Sequence, residues 1–285
     1  EVYVQTYETN VRHLAQQGIT RLRPWVMEKS VQSEGHNWER LGSQEALEKT
    51  GRLVDTPEQD YPWSRRKSIP VTYHTGDSTE QSDIVQMIVD PNSNITQAQA
   101  KAMRRSHDDE IIRAATGESR DGQGNVVAFP ASQDVGDGSL SINFDIVTEV
   151  SEVFMDNDID PDEQKVFVVS PRQARKLLQL TEATSGDYNA VRPLTSMGYI
   201  ESWMGYTWVV STRLPDSSVG QDGSSVYCFA MTRKAIGLQM NRDIFAEIAK
   251  DPTKSFAWRI YAESSFGAIR VEDEHLVRVN LSTTI

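Results

Sequence analysis

The chain has 285 residues and a single cysteine, Cys228, so no disulfide can form within it, and no apolar run is long enough to cross a bilayer as a helix. Basic residues are also scarce: 29 Lys and Arg stand against 41 Asp and Glu, a formal net charge of −12. Sheathing DNA in protein needs clustered cations, so this balance excludes a strongly basic nucleic-acid coat. Catalytic signatures are missing too. Ser170, Ser211 and Ser264 sit in no G-x-S-x-G turn, and Gly122-Gln123-Gly124 has neither the third glycine nor the strand-to-helix setting of a dinucleotide fingerprint. With no phosphate-loop pattern and no triad to assemble, the reading is a non-enzyme without cofactor.

Acidic clusters do not supply a metal site either. Asp156, Asp158, Asp160, Asp162 and Glu163 have the odd-position oxygens of a calcium loop, but Pro161 stands where that loop needs Gly and Phe167 where it needs Glu. A solvated acidic turn is the simpler reading. His107-Asp108-Asp109-Glu110 are consecutive on a helix and so point in different directions; Asp109 is expected to pair with Arg105 and Arg113, one turn away on either side. His275, beside Glu272, Asp273 and Glu274, reads as an exposed charged turn.

What is present is most informative over residues 55–117. A polar arm, DTPEQDYPWSRRKSIPVTYHTGDSTEQSD, is kept extended by Pro57, Pro62 and Pro70 and carries Trp63 and the basic run Arg65, Arg66, Lys67 near its middle. Trp63 has too few apolar neighbours to be buried locally, so its expected home is a pocket on another molecule; Arg65 and Arg66 on their own read as solvated charge. The next segment is predicted to be one helix over 95–116, capped by Asn94, free of internal Gly and Pro, stopped at Gly117 and about 33 Å long at ~1.5 Å per residue.

The remainder reads as α+β. Val11, Leu14, Ala15 and Ile19 give residues 8–23 a helical stripe. After a Gly- and Asp-rich loop with one hairpin, residues 145–157 place Ile146, Val147, Val150, Val153 and Phe154 on one helix face, expected to pack on the strand VFVVS. Pro171 opens another helix that buries Leu177, Leu178 and Leu180, YTWVVSTRL and SVYCFAMT are strands, and the alternation in RIYAES and HLVRVNL suits half-buried antiparallel strands. Trp203, Trp208 and Trp258 are expected in the core.

In order, YETNVRHLAQQGITRLRPWV, WERLG, EKTGR, DTP, WSRR, HDDEIIRAATG, VFVVSPRQARKLLQLTEATSGDYNAVRPL, GYIESWMGYTWVVSTRLP, CFAMTRKAIGLQM and KSFAWRIYAESSFGAIRVEDEHLVRV resemble the major capsid proteins of tailed bacteriophages with the Hong Kong 97-type fold. The resemblance covers nearly the whole chain, and it is the order of the pieces that makes it specific. It implies an N-terminal arm (1–45), an extended loop (46–86), a peripheral domain (87–145 and 234–285) built on a spine helix, and an axial domain (146–233).

The resemblance implies copies joined as pentamers and hexamers into an icosahedral shell around double-stranded DNA, assembled in the host cytoplasm and carried in the virion. Trp63, Arg65, Arg66, Lys67, Arg105, Asp109 and Arg113 are its candidate intersubunit contacts, and it is the resemblance that implies a neighbour's acidic surface for Arg65 and Arg66. Partners implied are a portal protein and a cement or decoration protein. A separate scaffolding protein is expected as well, because the arm helix starts within a few residues of Glu1. An encapsulin-type nanocompartment is the alternative; it shares the fold and would carry a cargo-peptide groove, whereas the arm motifs here are phage-like.

Overall fold

The computed structural model describes residues 16–56, 58–80, 91–180, 202–218 and 222–284, with the side chains of 91–93 excepted. The predicted helix over 8–23 lies partly outside these residues, and its described part is not helical: 16–22 is irregular, leading into a 3-10 turn at Arg23–Trp25. Here the backbone N–H groups of Arg21 and Leu22 turn to the Asp108 carboxylate (3.0 to 3.2 Å). Those side-chain bonds take the place of a helical ladder.

Strands β1 (Met27–Ser30), β2 (His36–Leu41), β3 (Trp63–Ser68) and β4 (Val71–Thr79) follow. β2 and β3 form an antiparallel hairpin from His36↔Ser68 to Leu41↔Trp63, so the pairing crosses the expected division at residue 45. Helix α1 runs Pro91–Thr116, beginning before the expected Asn94 cap, which lies inside it. Its 26 residues make a rod of about 39 Å at ~1.5 Å per residue. Gly117 ends it, with its N–H on the Arg113 carbonyl at 2.9 Å.

The predicted hairpin in the Gly-rich loop is the short pair β5 (Ser119–Arg120) and β6 (Val126–Val127). After β7 (Asp134–Val135), helix α2 spans Phe144–Asp156, opened by Asn143, whose side chain accepts from the Ile146 N–H at 2.8 Å. β8 (Lys165–Val169) and α3 (Pro171–Leu177) come next; Ser170 caps α3 and Pro171 occupies its first turn. The chain ends with β9 (Ser202–Trp203), β10 (Tyr206–Val210), β11 (Ser225–Thr232), β12 (Ile236–Asp251), β13 (Ala257–Arg270) and β14 (Leu276–Ser282).

A six-stranded sheet in the order β7-β14-β11-β8-β10-β9 divides the core. On one face Phe167 and Val169 of β8 meet Ile146, Val147, Val150 and Phe154 of α2, with Trp203 and Trp208. On the other, Val166 and Val168 meet Ile111, Ile112, Ala114 and Ala115 of α1. Both faces being covered, β8 reads as an unbroken apolar run rather than an alternation. The second sheet, β1-β12-β13-β4, joins this second core through Leu238, Met240 and Phe266. Trp258 departs from expectation: it is only partly buried, with the Lys250 ammonium 4.8 Å from its ring centre.

Candidate functional site

The most exposed part of the molecule to carry predicted contact residues is the β2–β3 hairpin. Trp63, at the loop end of the hairpin opposite Leu41, is 68% exposed. It lines a groove of about 590 Å³ with Arg40, Ser64, Arg65 and the Asp121–Gln123 turn. The Asp121 carboxylate is held below the usual pKa range by the Asn125 side-chain amide (2.9 Å) and, within that turn, by the backbone N–H groups of Asn125 (2.8 Å) and Gln123 (2.9 Å). Arg65 is exposed and donates across the hairpin to Glu39 at 2.9 Å. Lys67 is partly buried, its stem over Gly35.

Arg66 contradicts the expectation of a charge turned toward a neighbour. It is 6% exposed, and its Nη2 donates to Asp273 Oδ2 at 2.6 Å. Strand alternation explains the difference: Arg65 and Arg66 are adjacent on β3, so one faces out and the other into the molecule. Asp273 also receives Arg270 Nε at 2.6 Å, with Arg40 3.9 Å away. Arg270 is fully buried, also donates to the carbonyls of Gly117 (2.6 Å) and Ala128 (3.2 Å), and stacks on Phe129; burial lowers its pKa against the pull of Asp273. One carboxylate thus ties the hairpin to the end of β13.

Two other contacts seat the hairpin. Ser68 Oγ donates to Gln239 Oε1 at 2.7 Å and accepts from Trp38 Nε1 at 3.1 Å. The Trp38 ring lies over Gly237, where an added Cβ would come within 2.5 Å of it. Only a residue without a side chain admits the ring this closely.

The helix residues are distributed differently from the expectation. Asp109 pairs with Arg213, far along the chain, instead of with Arg105 and Arg113. Arg113 turns back to Glu110, whose hydrogen bonds raise the Arg113 pKa, and Arg105 donates to Gln16 Oε1 at 2.8 Å. The i,i+4 geometry allows the predicted pairs, but Arg213 forms a two-pronged contact with Asp109, the stronger arrangement for guanidinium and carboxylate.

His107, Asp108 and Glu110 are buried although they stand in a charged tetrapeptide. His107 Nε2 lies 3.1 Å from Ser264 Oγ, its ring is edge-on to Phe266 at 4.2 Å, and burial lowers its pKa to about 4. Burial raises the Asp108 pKa against the hydrogen bonds it accepts from Arg21 and Leu22. His275 is also buried rather than exposed, its Nδ1 2.8 Å from Thr232 Oγ1 and its Nε2 3.3 Å from Glu272. The turn 272–275 folds back on the end of β11, which the local sequence does not reveal.

Among the described residues no group of three or more His, Cys, Asp or Glu side chains is placed to hold a metal ion. The arrangement is one of anchors and an exposed rim, suited to docking.

A family model described as phage capsid protein matches residues 1–282. Among solved structures, the capsid of cyanophage P-SCSP1u is similar with a TM-score of 0.77 and 12% identity, over 98% of this chain and 93% of that one. Mycobacterium phage Che8 is similar at 0.73 and 15%, over 97% and 96%. The capsid of a native GTA particle follows at 0.67 and 14%, over 99% and 95%. No curated protein matches the sequence.

Proposed function

Because the chain belongs to the phage capsid protein family, we propose that its copies gather into pentamers and hexamers and close an icosahedral shell around the double-stranded DNA of a tailed phage. The chain is a bacteriophage capsid protein of the Hong Kong 97-type fold, a structural component of the virion. Assembly into rings and a shell is supported by the β2–β3 hairpin, which is anchored to its own chain at Arg66 and Ser68 yet presents Trp63 and Arg65 outward.

Such a hairpin suits heterologous contacts, in which one surface of a copy meets a different surface of the next and the rotation closes a ring. Trp63, Arg65 and Lys67 are its proposed contact residues, with Arg105 of α1 beside Gln16. Arg66 is buried against Asp273 in its own chain, while Asp109 and Arg113, which also have partners within the chain, keep enough exposure to be proposed as contacts too. The arm (1–45), loop (46–86), peripheral (87–145, 234–285) and axial (146–233) divisions are part of the proposal. So are assembly in the host cytoplasm, a separate scaffolding protein, a portal and a decoration protein. With a net charge of −12, the wall encloses DNA without sequence-specific binding.

Electron microscopy of the protein expressed with its neighbouring head genes tests the proposal. Rings of five and six and closed shells are expected. A chain that stays monomeric with scaffold supplied, or shells that hold an enzyme cargo in place of DNA in their native particles, would overturn it.

A further inference from the structure

Helix α2 carries an acidic stripe that its own chain does not answer. Asp145, Glu149, Glu152 and Asp156 are all exposed, and their helical spacing sets them one above another, on the side opposite the buried Ile146, Val147, Val150 and Phe154. The helix contains no Lys or Arg. None of the four carboxylates forms an ion pair among the described residues, so neighbours along the stripe repel, and Asp156 stands in the last turn, where the helix dipole disfavours an anion. Phe144 and Met155, each adjacent to an end of the stripe, are exposed as well.

Helix α3 has the opposite surplus. Arg172 and Arg175 are exposed about one turn apart, Lys176 is partly buried beside them, and the helix contains no acidic residue. Its other side is fixed: Leu177 joins the core that holds Val150 and Phe154 of α2, and Gln173 Oε1 accepts from the Ile142 N–H at 2.8 Å. Arg172 Nη1 donates to the Thr283 carbonyl at 3.2 Å, while Arg175 and Lys176 have no ion pair among the described residues. The two arginines line a cleft of about 610 Å³ with Pro171, Thr283 and Thr284, and none of these lining residues is acidic. Elsewhere the chain pairs exposed charges that come within reach, Arg23 with Glu28 and Asp109 with Arg213. α2 and α3 share one core and leave their charges apart.

We propose that the basic face of α3 in one copy docks on the acidic stripe of α2 in a second copy. Charge complementarity identifies the occupant: the stripe offers carboxylates in a row to the arginines of the cleft, and every copy supplies one stripe and one cleft. Nucleic acid fits less well, since a chain of net charge −12 repels a polyanion. Because the two surfaces differ, the contact is head-to-tail and can close a ring. The inference rests on the shell-forming reading above and goes beyond it by naming the two helix faces that meet.

Charge reversal provides the test. One variant combines Glu149→Lys, Glu152→Lys and Asp156→Lys, which makes the α2 face basic; the other combines Arg172→Glu, Arg175→Glu and Lys176→Glu, which makes the α3 face acidic. Each should melt with the wild type, or above it where the stripe's repulsion is relieved, while capsomer and shell yield falls about tenfold or more because like charges now meet. Two rescues follow. A chain with all six changes restores opposite charges and should recover rings and shells, and an equal mixture of the two variants should recover rings of six but not of five, since unlike copies must alternate. Wild-type yield from either folded variant overturns the inference, as does failure of both rescues or a loss seen only with scaffold present. Cross-linking of the unmutated chain is an independent reading. A carbodiimide should join Lys176 of one copy to a carboxylate within 145–156 of another in the assembled particle; Lys176 joined only elsewhere, or to nothing, overturns the proposal. If unmutated chain forms no rings or shells at all, the failure belongs to the shell-forming reading.

Discussion

β8 and β4 are both strands of this chain, and they are stabilised in opposite ways. Four of the five β8 residues are buried, with apolar side chains on both faces of the sheet. β4 buries one of nine, and its face carries Tyr73, stacked on Phe266 at 4.9 Å, as its main apolar contact. The six-stranded sheet is closed by its own core, while the hairpin and the outer part of the four-stranded sheet are held by a few anchors and leave backbone edges and an indole in the open. A subunit that must join others needs both: a body that folds alone and a rim that is completed elsewhere.

The sharpest break in this comparison comes from the core. Phe167 is fully buried and stacked on Trp208 at 4.6 Å, so Phe167→Ala is expected to cost about 4–5 kcal/mol, the upper part of the range for a large aromatic removed from a packed interior. Denaturant unfolding would show it as a loss for the whole chain. Asp273→Asn comes next, at about 3–4 kcal/mol, because the buried guanidiniums of Arg66 and Arg270 lose a shared charge partner. Its signature differs: proteolysis within 36–68 should accelerate more than cleavage in the six-stranded sheet. Equal acceleration in both would mean that Asp273 is a core residue rather than a hairpin anchor.

The two regions also differ in how far the sequence reveals them. Periodicity finds α2 because Ile146, Val147, Val150 and Phe154 recur at helical spacing and all are buried, and β8 because an apolar run needs two covered faces. The capsid resemblance identified the family across the whole chain. The anchors were hidden by their own neighbours. Asp273 lies between two glutamates, Arg66 in a run of three cations, and Asp109 beside two arginines that it does not use. Which member of a charge run is buried depends on the strand's facing and on a partner more than a hundred residues away, as with Asp109 and Arg213. The outer half of β12 interrupts Ile244, Phe245 and Ile248 with Ala246, Glu247, Ala249, Lys250 and Asp251, residues of low strand preference; pairing with β13 sets the conformation there.

A pH titration probes the seam where α1 meets the open-edged sheet. His107 is fully buried beside Ser264 and Phe266, with Arg23, Arg104, Glu28 and Asp243 acting on it electrostatically. Its pKa falls from 6.5 to about 4 on folding, so between these values the unfolded chain binds the proton more tightly, and stability declines as pH falls through that window. Up to ~3 kcal/mol per chain is at stake. Chemical unfolding at pH 7 and pH 4.5 measures the loss, and His107→Gln should flatten the difference. An unchanged slope in that variant would place the acid sensitivity elsewhere.

The smallest effect on folding, and the one that separates the rim from the body most cleanly, belongs to Trp63. At 68% exposure its ring is largely in water, with no anchor of the kind that fixes Arg66 or Ser68. Trp63→Ala should therefore change unfolding free energy by no more than about 0.5 kcal/mol, the range for surface positions without special contacts. Burial in a neighbouring copy reverses the balance, because an indole that becomes enclosed on association is a common source of binding energy. The variant should thus melt with the wild type while its yield of rings and shells drops severalfold. The Trp63 emission, taken as the difference between the unaltered chain and Trp63→Phe, should shift to the blue on assembly. Full yield from Trp63→Ala, or emission that stays that of a hydrated indole in the particle, would show that the ring remains in solvent and that the hairpin docks through other residues.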